Sequence, residues 1–509
     1  MTNSIPIISY IEIHNSEKNN TIWDVNSEDY IFGIVRIKIP KVTMTKTPLA
    51  IYMNIDRSGS MDDMCLDGRT KMTHLKHTIR NMIQLFSTYT DVNISVCIVA
   101  FDSIVEELTN GFELITLEKL EYFYNIINNI RPMGTTNIEL SLKKAMIRIS
   151  EYPDLCPIHI QFTDGEASSG KTEIHELLKN INPSYKNIFI GFGETHDSYL
   201  LSRFAEYGGK SEYRFIDEIE NSGMVCGEII YNILYPFTTE NITINMVEDK
   251  YGKSMKIYNW VTNECGSSII IPPLSGDCEK IYHIKGKKTD FESYDSYIGD
   301  CCAKMVLHNE EVINIDCIQK SVDSERDLTK YMLRQKTLEL LYESRQLESQ
   351  RYELKEQLNN NNNNNIRLNK KYTNHVNNDI IDIRSRLIKL FQILQEYWKT
   401  LDDNKYEKTF IKILMDDIHI ARKTVGTERG HMYSCSRQIS QGSQFTYKVG
   451  GTNTNDTLMT EYYDDIEPWN IDDEYITSPS TQTPYNNEMI LEMMQKICKD
   501  DKDDKDENI

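Results

Sequence analysis

The sequence lacks the features that mark membrane, secreted and zinc-binding proteins. No apolar run reaches the ~18 residues that a membrane-spanning helix needs, and the start, "MTNSIPIISY", has no basic segment followed by an apolar core. The eleven cysteines are scattered, apart from the Cys301-Cys302 pair, and form no C-x-x-C, which leaves zinc ribbons, RING-type sites and a disulfide frame without support. We expect an intracellular, cytoplasmic protein that has no membrane partner.

Basic charge is also scarce. The chain has 56 Lys and Arg against 77 Asp and Glu, and its formal net charge is -21. Because nucleic-acid binding neutralises phosphates with clustered Lys and Arg, this balance argues against a nucleic-acid partner. Cations and basic surfaces are the more natural partners of such a chain.

The 509 residues predict about two or three folded units. Residues 47–235 alternate short apolar runs with amphipathic stretches, the pattern of an α/β fold with a doubly wound, mostly parallel sheet. The apolar runs are nearly continuous in Val and Ile, as strands covered on both faces require. The predicted strands are Leu49–Ile55, Val92–Phe101, Pro157–Thr163, Lys186–Phe192 and Glu212–Ile216. The predicted helices lie near 70–88, 117–130, 138–152, 172–180, 198–207 and 219–234.

Two further segments have β character. Residues 237–320 contain short β-rich runs with turn residues and no helical period, which predicts a small β-sandwich. Residues 1–46 show the same pattern in "YIEI" and "YIFGIVRIKIP". We expect these segments to form one β unit, with the α/β domain inserted between them.

Residues 324–424 predict a helical region that the Asn tract 359–365 interrupts. Helices are predicted at 324–358 and 376–421, and the second has apolar residues at steps of three and four. Polar residues at the d-type positions of the first argue against a sustained coiled coil. We expect an antiparallel hairpin whose loop is the Asn tract, and an oligomer formed through 324–421 is the less favoured alternative.

Residues 425–509 are polar and acidic. From Gly451 onward, sixteen Asp and Glu stand against four Lys, which predicts a largely disordered tail. A short helix near Asn487–Cys498 has no docking surface that the sequence identifies. The polar stretch "SRQISQG" at 436–442 has no assigned role.

Three polar loops share a position relative to the predicted sheet. "DRSGS" supplies Asp56, Ser58 and Ser60 directly after the first strand, "MGTTNIEL" supplies Thr136 before a helix, and "FTDGE" supplies Asp164 at the end of another strand. Open α/β sheets bind ligands at the carboxyl ends of strands where the strand order reverses, and we expect the loops to meet there. D-x-S-G-S alone is also an ordinary polar turn that can cap a helix. The five positions together favour a metal site.

The order D-x-S-G-S, G-T-T-N before a helix, and T-D-G resembles the metal-ion-dependent adhesion site of von Willebrand factor type A domains. The resemblance implies hydroxyl ligands from Ser58, Ser60 and Thr136, with Asp56 and Asp164 acting mostly through bound water. Mg²⁺ (or Mn²⁺) is the implied ion, since it prefers about six oxygens and usually keeps several waters. Neutral ligands leave the ion short of negative charge, so an Asp or Glu carboxylate of a protein partner can complete its shell.

The resemblance therefore implies protein-protein interaction, and we expect no enzymatic activity. As a whole the chain resembles uncharacterised proteins of this family from protists, bacteria and large DNA viruses. A virion location would apply if the source is viral, and a structural or virion-associated role is one alternative function.

A second alternative comes from Gly165 to Thr172, which matches the P-loop pattern G-x-x-x-x-G-K-T. It would make the chain part of a nucleotide-hydrolysing complex, through this loop or as the type A subunit of a chelatase-like ATPase. Asp164 directly precedes the first glycine, where a carboxylate would repel the phosphates that backbone N–H groups cradle. Lys171 is then most simply an exposed residue at a helix start.

Overall fold

The computed structural model of the chain describes residues 7–14, 30–65, 68–153, 155–165, 167–193, 196–207, 210–216, 219–248, 253–287, 301–307, 311–317, 326–360, 366–401, 405–427, 429–446 and 485–499. The chain divides into two compact units. The α/β unit comprises residues 42–237 and 487–509, and the β-helical unit comprises residues 1–41 and 238–486. No helix in the described ranges is both long enough and apolar enough to cross a lipid bilayer.

The strands are numbered in chain order. They are β1 Ile8–Ile13, β2 Tyr30–Lys38, β3 Leu49–Asp56, β4 Ile94–Phe101, β5 Val105–Glu107, β6 Glu113–Leu114, β7 Cys156–Thr163, β8 Lys186–Phe192, β9 Ser211–Ile216, β10 Ile242–Met246, β11 Lys256–Asn259, β12 Glu264–Gly266, β13 Ser268–Ile271, β14 Glu279–Lys287, β15 Cys301–Val306 and β16 Val312–Cys317.

The helices are numbered in the same way. They are α1 Lys71–Ser87, α2 Leu120–Asn128, α3 Ile138–Ser150, α4 Ile174–Leu178, α5 Ser198–Glu206, α6 Ile219–Leu234, α7 Thr329–Asn360, α8 Ile366–Thr400, α9 Lys405–Thr424, α10 Gly430–Ser443 and α11 Glu488–Lys499.

The sheet of the α/β unit has the strand order β5-β4-β3-β7-β8-β9. Strands β4, β3, β7, β8 and β9 are parallel, while β5 and β6 pair antiparallel with β4. The chain builds one side of the sheet from β3 to β4 and the other side from β7 onward, so the strand order reverses between β3 and β7. Ile55 pairs with Phe162 near the ends of these two strands. Their carboxyl ends therefore lie side by side at the reversal.

Apolar side chains cover both faces of this sheet. Ile51 of β3 belongs to a core cluster with Leu75 of α1, whereas Tyr52 clusters with Ala145 of α3 on the opposite face. Alternate residues of β3 thus face different helical layers, which is what a doubly wound sheet requires. The predicted strands and helices of this region are present with ends shifted by a few residues. Strands β5 and β6 were not predicted, because they are too short to show a period of two.

The C-terminal helix α11 belongs to the α/β unit and packs against α6. Its buried apolar face joins the same core cluster as α6 through Ile490, Met493, Met494 and Ile497. The side-chain amide of Asn81 in α1 also donates a hydrogen bond to the Ile497 carbonyl at 3.2 Å. The short helix expected at this place therefore has a docking surface that the sequence did not identify.

The β-helical unit contains one nine-stranded sheet with the order β12-β11-β14-β2-β1-β16-β15-β10-β13. Strands β1 and β16 are parallel, and the other neighbours are antiparallel. The expected small β-sandwich is wrong. The strands form one continuous hydrogen-bonded sheet that curls until β11 and β13, near its opposite edges, are in contact. Phe32 and Ile34 of β2 pack against helices of the same unit.

Helices α7 to α10 pack against one another in this unit. Helices α7 and α8 are in contact, and of the Asn tract between them residues 361–365 lie outside the described residues. The helix predicted at 376–421 is two helices, α8 and α9, because the polar sequence "LDDN" at 401–404 separates them.

The tail expected from residue 425 onward is not wholly without structure. Residues 430–443 form α10, whose polar side chains are buried against α7 and α9. Composition alone predicted disorder here, because it does not show that these polar groups find partners within the fold. The remaining acidic stretches, 447–484 and 500–509, lie outside the described residues.

Candidate metal centre

Two buried carboxylates lie at the reversal of the strand order. Asp56 is the last residue of β3 and Asp164 follows the last residue of β7; their relative exposures are 0% and 1%. The Thr163 hydroxyl donates to Asp56 Oδ2 at 2.5 Å, which connects the two strand ends. Asp164 and Asp56 thus stand close enough for their charges to interact.

The loop after β3 brings two hydroxyls to the same place. The backbone N–H of Ser58 donates to Asp56 Oδ1 at 2.8 Å, and the Ser58 and Ser60 hydroxyl oxygens are 3.1 Å apart. The chain turns here in a short 3-10 helix, Gly59–Asp62. The motif D-x-S-G-S therefore holds one carboxylate and two hydroxyls on a single tight turn.

Thr136 lies in a neighbouring loop and is 3% exposed. The Gly59 N–H donates to the Gly134 carbonyl at 3.2 Å, and the Met133 N–H donates to the Arg57 carbonyl at 2.7 Å. These bonds hold the Thr136 loop against the serine loop. The structure thus brings together the three loops that supply Asp56, Ser58, Ser60, Thr136 and Asp164.

Arg57 helps to hold these loops in place through its ion pairs, a role that the sequence did not reveal. Its guanidinium bonds to Asp102 at 2.8 Å and to Glu106 at 2.6 Å, and it is 8% exposed. The Asp102 carbonyl in turn accepts from the N–H of Asn137, the N-cap of α3. The x of D-x-S-G-S is therefore a positioning residue.

Lys71 is the second residue that sequence reasoning missed. It is the first residue of α1, it is 5% exposed, and its Nζ lies 3.2 Å from Asp164 Oδ2. The positive end of the helix dipole makes a helix N-terminus an unfavourable place for a lysine. That mismatch was the signal available in the sequence, since it indicates that a specific anion holds the residue there.

Burial and charge perturb the titrating groups of the site. Burial raises the pKa of the Asp56 carboxyl well above its ordinary value, and the Asp164 carboxylate raises that pKa further. Burial also lowers the pKa of His196 to about 4, so this imidazole is neutral at pH 7. A bound cation would favour the ionised form of Asp56 and relieve the repulsion between the carboxylates.

The donor set fits a hard divalent ion. Asp164 Oδ1 is buried and has no hydrogen-bond partner among the described residues. Buried carboxylate oxygens normally pair with donors or coordinate metals, and Mg²⁺ takes hydroxyl, carboxylate and water oxygens. Where the chain is described, no three His, Cys, Asp or Glu side chains come together as a metal site. That result is compatible with a site that combines two carboxylates with three hydroxyls.

Four backbone N–H groups of the loop that matches the P-loop pattern already have partners within the protein. The N–H groups of Ser168 and Ser169 donate to the Thr136 carbonyl, that of Gly165 donates to Thr163 Oγ1, and that of Lys171 donates to Glu139. A phosphate cradle needs such groups to point at the ligand. These four N–H groups serve the contact with the neighbouring loops instead.

Backbone conformation and packing also explain why this loop has its two glycines. Gly165 and Gly170 both have positive φ, at 81° and 73°. A Cβ on Gly170 would lie 2.4 Å from Asn137 Oδ1, the atom that caps α3. Glycine at these positions is thus explained without a nucleotide.

No protein-family model matches this chain, and no curated protein matches its sequence. Among solved structures, a von Willebrand factor type A protein from Catenulispora acidiphila is similar over 69% of this chain and 83% of that chain, with 15% identity and a TM-score of 0.44. The ArnB paralog VWA2 from Sulfolobus acidocaldarius is similar over 87% of this chain and 100% of that chain, with 12% identity and a TM-score of 0.42. At these identities and scores the likeness is a general one of fold and carries no inference about chemistry.

Proposed function

We propose that this chain is a non-enzymatic protein-interaction module whose α/β unit holds Mg²⁺ (or Mn²⁺) and binds a carboxylate of a protein partner. The observation that carries the proposal is Asp164, a buried carboxylate whose Oδ1 lacks a hydrogen-bond partner among the described residues. It stands beside a second buried carboxylate, Asp56, and the Ser58 and Ser60 hydroxyls. These four side chains offer oxygen atoms, and in the described ranges the two carboxylates do not each have a basic partner. Such a site suits a cation.

Ser58, Ser60 and Thr136 would hold the ion through their hydroxyls, and Asp56 and Asp164 would act mostly through bound water. The ion would supply a Lewis-acidic position for an oxygen ligand. Because three of the five side chains are neutral, a carboxylate from outside the chain can add the missing negative charge. This proposal agrees with the resemblance of the motif order to the adhesion site of von Willebrand type A domains.

The nucleotide alternative has less support. The backbone N–H groups of Gly165, Ser168, Ser169 and Lys171 already donate within the protein. The helix after the loop, Ile174–Leu178, is also only five residues long and begins beyond Lys171 and Thr172. A structural or virion-associated role remains an alternative on which these contacts have no bearing.

Calorimetric titration of Mg²⁺ tests the metal site. We expect Ser60→Ala and Asp164→Asn each to weaken Mg²⁺ binding by about 10–100-fold, the usual cost of removing a ligand's support at a metal site. Ser141→Ala is the matched control, because Ser141 is a buried serine of the same unit whose hydroxyl donates to the Ile138 carbonyl. Wild-type affinity in both site variants would refute the proposed site.

The same titration with ATP distinguishes the proposed metal-dependent function from the nucleotide-binding alternative. We expect no saturable ATP binding to the wild type or to Lys171→Ala, since Lys171 is exposed and four backbone N–H groups of its loop already donate within the protein. ATP binding that Lys171→Ala abolishes would instead establish the nucleotide function. The partner is then sought by pull-down with and without EDTA, and the proposal expects capture that EDTA releases and Mg²⁺ restores.

A further inference from the structure

Lys71 places a buried positive charge directly beside the proposed metal site. Its ammonium lies 3.2 Å from Asp164 Oδ2 and 3.5 Å from Asp63 Oδ2. The Asp63 side chain is 65% exposed, so its interaction is screened by water and contributes little. The Asp164 side chain is 2% exposed, which makes it the dominant partner of Lys71.

The fold leaves space for the Lys71 side chain. Gly193, at the end of β8, has φ 77°, and a Cβ there would lie 3.1 Å from Lys71 Cε. The Lys71 N–H also donates to the Asp63 carbonyl at 3.0 Å, which fixes the start of α1. Lysines are almost never this buried unless they are paired. The position therefore serves the pair with Asp164.

The charges of the site can be counted. Asp56 and Asp164 bring two buried carboxylates, and Lys71 brings one buried ammonium. The positive charge of Arg57 is balanced by the buried Asp102; its other partner, Glu106, has a side chain that is 52% exposed, so water screens that charge and it stays outside the count. Without an ion the ionised site has one negative charge in excess, and with a divalent ion it has one positive charge in excess. If Lys71 were neutral, the same ion would only cancel the two carboxylates.

We propose that Lys71 sets the balance between metal affinity and partner affinity at this site, by weakening the hold on Mg²⁺ and strengthening the attraction of the loaded site for a carboxylate. This inference rests on the proposed function. Like charges repel strongly where water is excluded, so the ammonium opposes the incoming cation. Once the ion is bound, the same ammonium adds to the positive potential that an acidic side chain of the partner meets.

The test compares Lys71→Met with the wild type in the full-length protein, using Mg²⁺ calorimetry. We expect Lys71→Met to bind Mg²⁺ about tenfold more tightly or better, because the repulsion is removed and the Asp164 carboxylate is released from its ion pair. Lys76→Met is the matched control. It removes the same charge from the same helix, at a residue whose Nζ donates to the Asn128 carbonyl, and it should keep the wild-type affinity within about twofold.

A second readout distinguishes this role from a merely structural one. Acetate serves as the carboxylate probe and is titrated into the Mn²⁺-loaded proteins while water-proton relaxation follows displacement of metal-bound water. We expect Lys71→Met to bind acetate several-fold more weakly than wild type, although it binds the metal more tightly. In the absence of metal, its melting temperature should be lower than that of the wild type, and saturating Mg²⁺ should narrow the difference.

Lys71→Gln provides the same test in a variant that can still donate a hydrogen bond to Asp164, should the methionine variant fail to fold. Unchanged or weaker Mg²⁺ binding in the folded variants overturns the inference while leaving the metal site itself in place. Absence of Mg²⁺ binding in wild type and variants alike overturns the proposed function together with the inference. Equal acetate affinities overturn the part of the inference that concerns the partner.

Discussion

The two units both bury polar side chains, and two buried glutamines, one in each unit, differ in how their amides are bonded. In the β-helical unit, Gln441 is fully buried and both ends of its amide are bonded, to Asp417 at 2.8 Å and to the Tyr485 hydroxyl at 2.5 Å. In the α/β unit, Gln161 is equally buried, and neither end of its amide has a partner among the described residues. Burial of polar groups alone therefore does not indicate a binding site.

The surroundings of the two glutamines also differ. Gln438 resembles Gln441, since it accepts from Arg345 and donates to the Trp260 carbonyl. By contrast, Gln161 lies two residues before Thr163 on β7, the strand that ends at Asp164, and Asp164 Oδ1 is also without a partner in the described ranges. The amides of Gln438 and Gln441 thus join segments of the β-helical unit, whereas Gln161 and Asp164 have oxygens near the end of β7 that lack a partner in the described part of the chain.

Exchanging each glutamine for methionine tests this contrast directly. Gln441→Met removes two hydrogen bonds, one of them to a carboxylate, and we expect it to lower the free energy of unfolding of its unit by about 3 kcal/mol. Gln161→Met removes no bond seen in the structure and should change the stability of the α/β unit by less than about 0.5 kcal/mol or raise it. Equal losses in both variants would show that Gln161 is satisfied in solution and would remove the contrast.

The two units can be followed separately in this experiment. The chain has four tryptophans, of which Trp260 and Trp398 lie in the described part of the β-helical unit and none lies in the described part of the α/β unit. Tryptophan fluorescence during urea unfolding therefore reports on Gln441→Met. Hydrogen exchange of peptides from β3 and β7 reports on Gln161→Met.

Acid should weaken the α/β unit through His159, which lies on the same face of β7 as Gln161 and Thr163. Burial lowers the pKa of His159 to about 4 from an ordinary 6.5. Its folded pKa lies below its unfolded pKa, so the unfolded chain binds the proton more tightly, and stability is lost as the pH falls from about 6.5 to 4. The shift corresponds to roughly 3 kcal/mol.

We expect His159→Gln to remove most of this acid-dependent loss of stability. The part removed should be somewhat less than about 3 kcal/mol, because the substitution also alters the contact to Asn187. His175→Gln is the control, because the His175 side chain is 70% exposed. Hydrogen exchange of the α/β unit between pH 7 and pH 4 measures both variants. An acid loss in His159→Gln as steep as that of the wild type would contradict the prediction.

A smaller effect concerns the apolar contact between α11 and α6. A Cβ on Gly227 would lie 2.9 Å from both the Cγ and the backbone nitrogen of Met494, so Gly227→Ala forces α11 to move. Overpacking of this kind costs about 1–2 kcal/mol, and we expect faster hydrogen exchange in the α11 backbone. The double variant Gly227→Ala/Met494→Ala should recover part of the protection. Unchanged exchange in the single variant would show that α11 is not docked in solution.

Much of the α/β unit could be predicted from the sequence, because its strands and helices have periods that a single chain displays. The order of the loops around Asp56, Thr136 and Asp164 was equally readable, since strand ends determine where they lie. Lys71 was missed because its partner is distant in the chain, at position 164. The same reason applies to α10, whose polar residues resemble a solvated segment until Arg345 and Trp260 are placed beside them.

The docking of α11 has a consequence for the order in which the protein is made. The α/β unit is assembled from residues 42–237 and the distant segment 487–509. Roughly 250 residues separate the two, and at ~5–20 residues per second the ribosome needs roughly 10–50 seconds to synthesise them. During that interval Met494, which packs against Gly227 of α6 in the finished fold, has not yet been added to the chain. A nascent α/β unit therefore emerges incomplete and becomes whole only when the last helix has been translated.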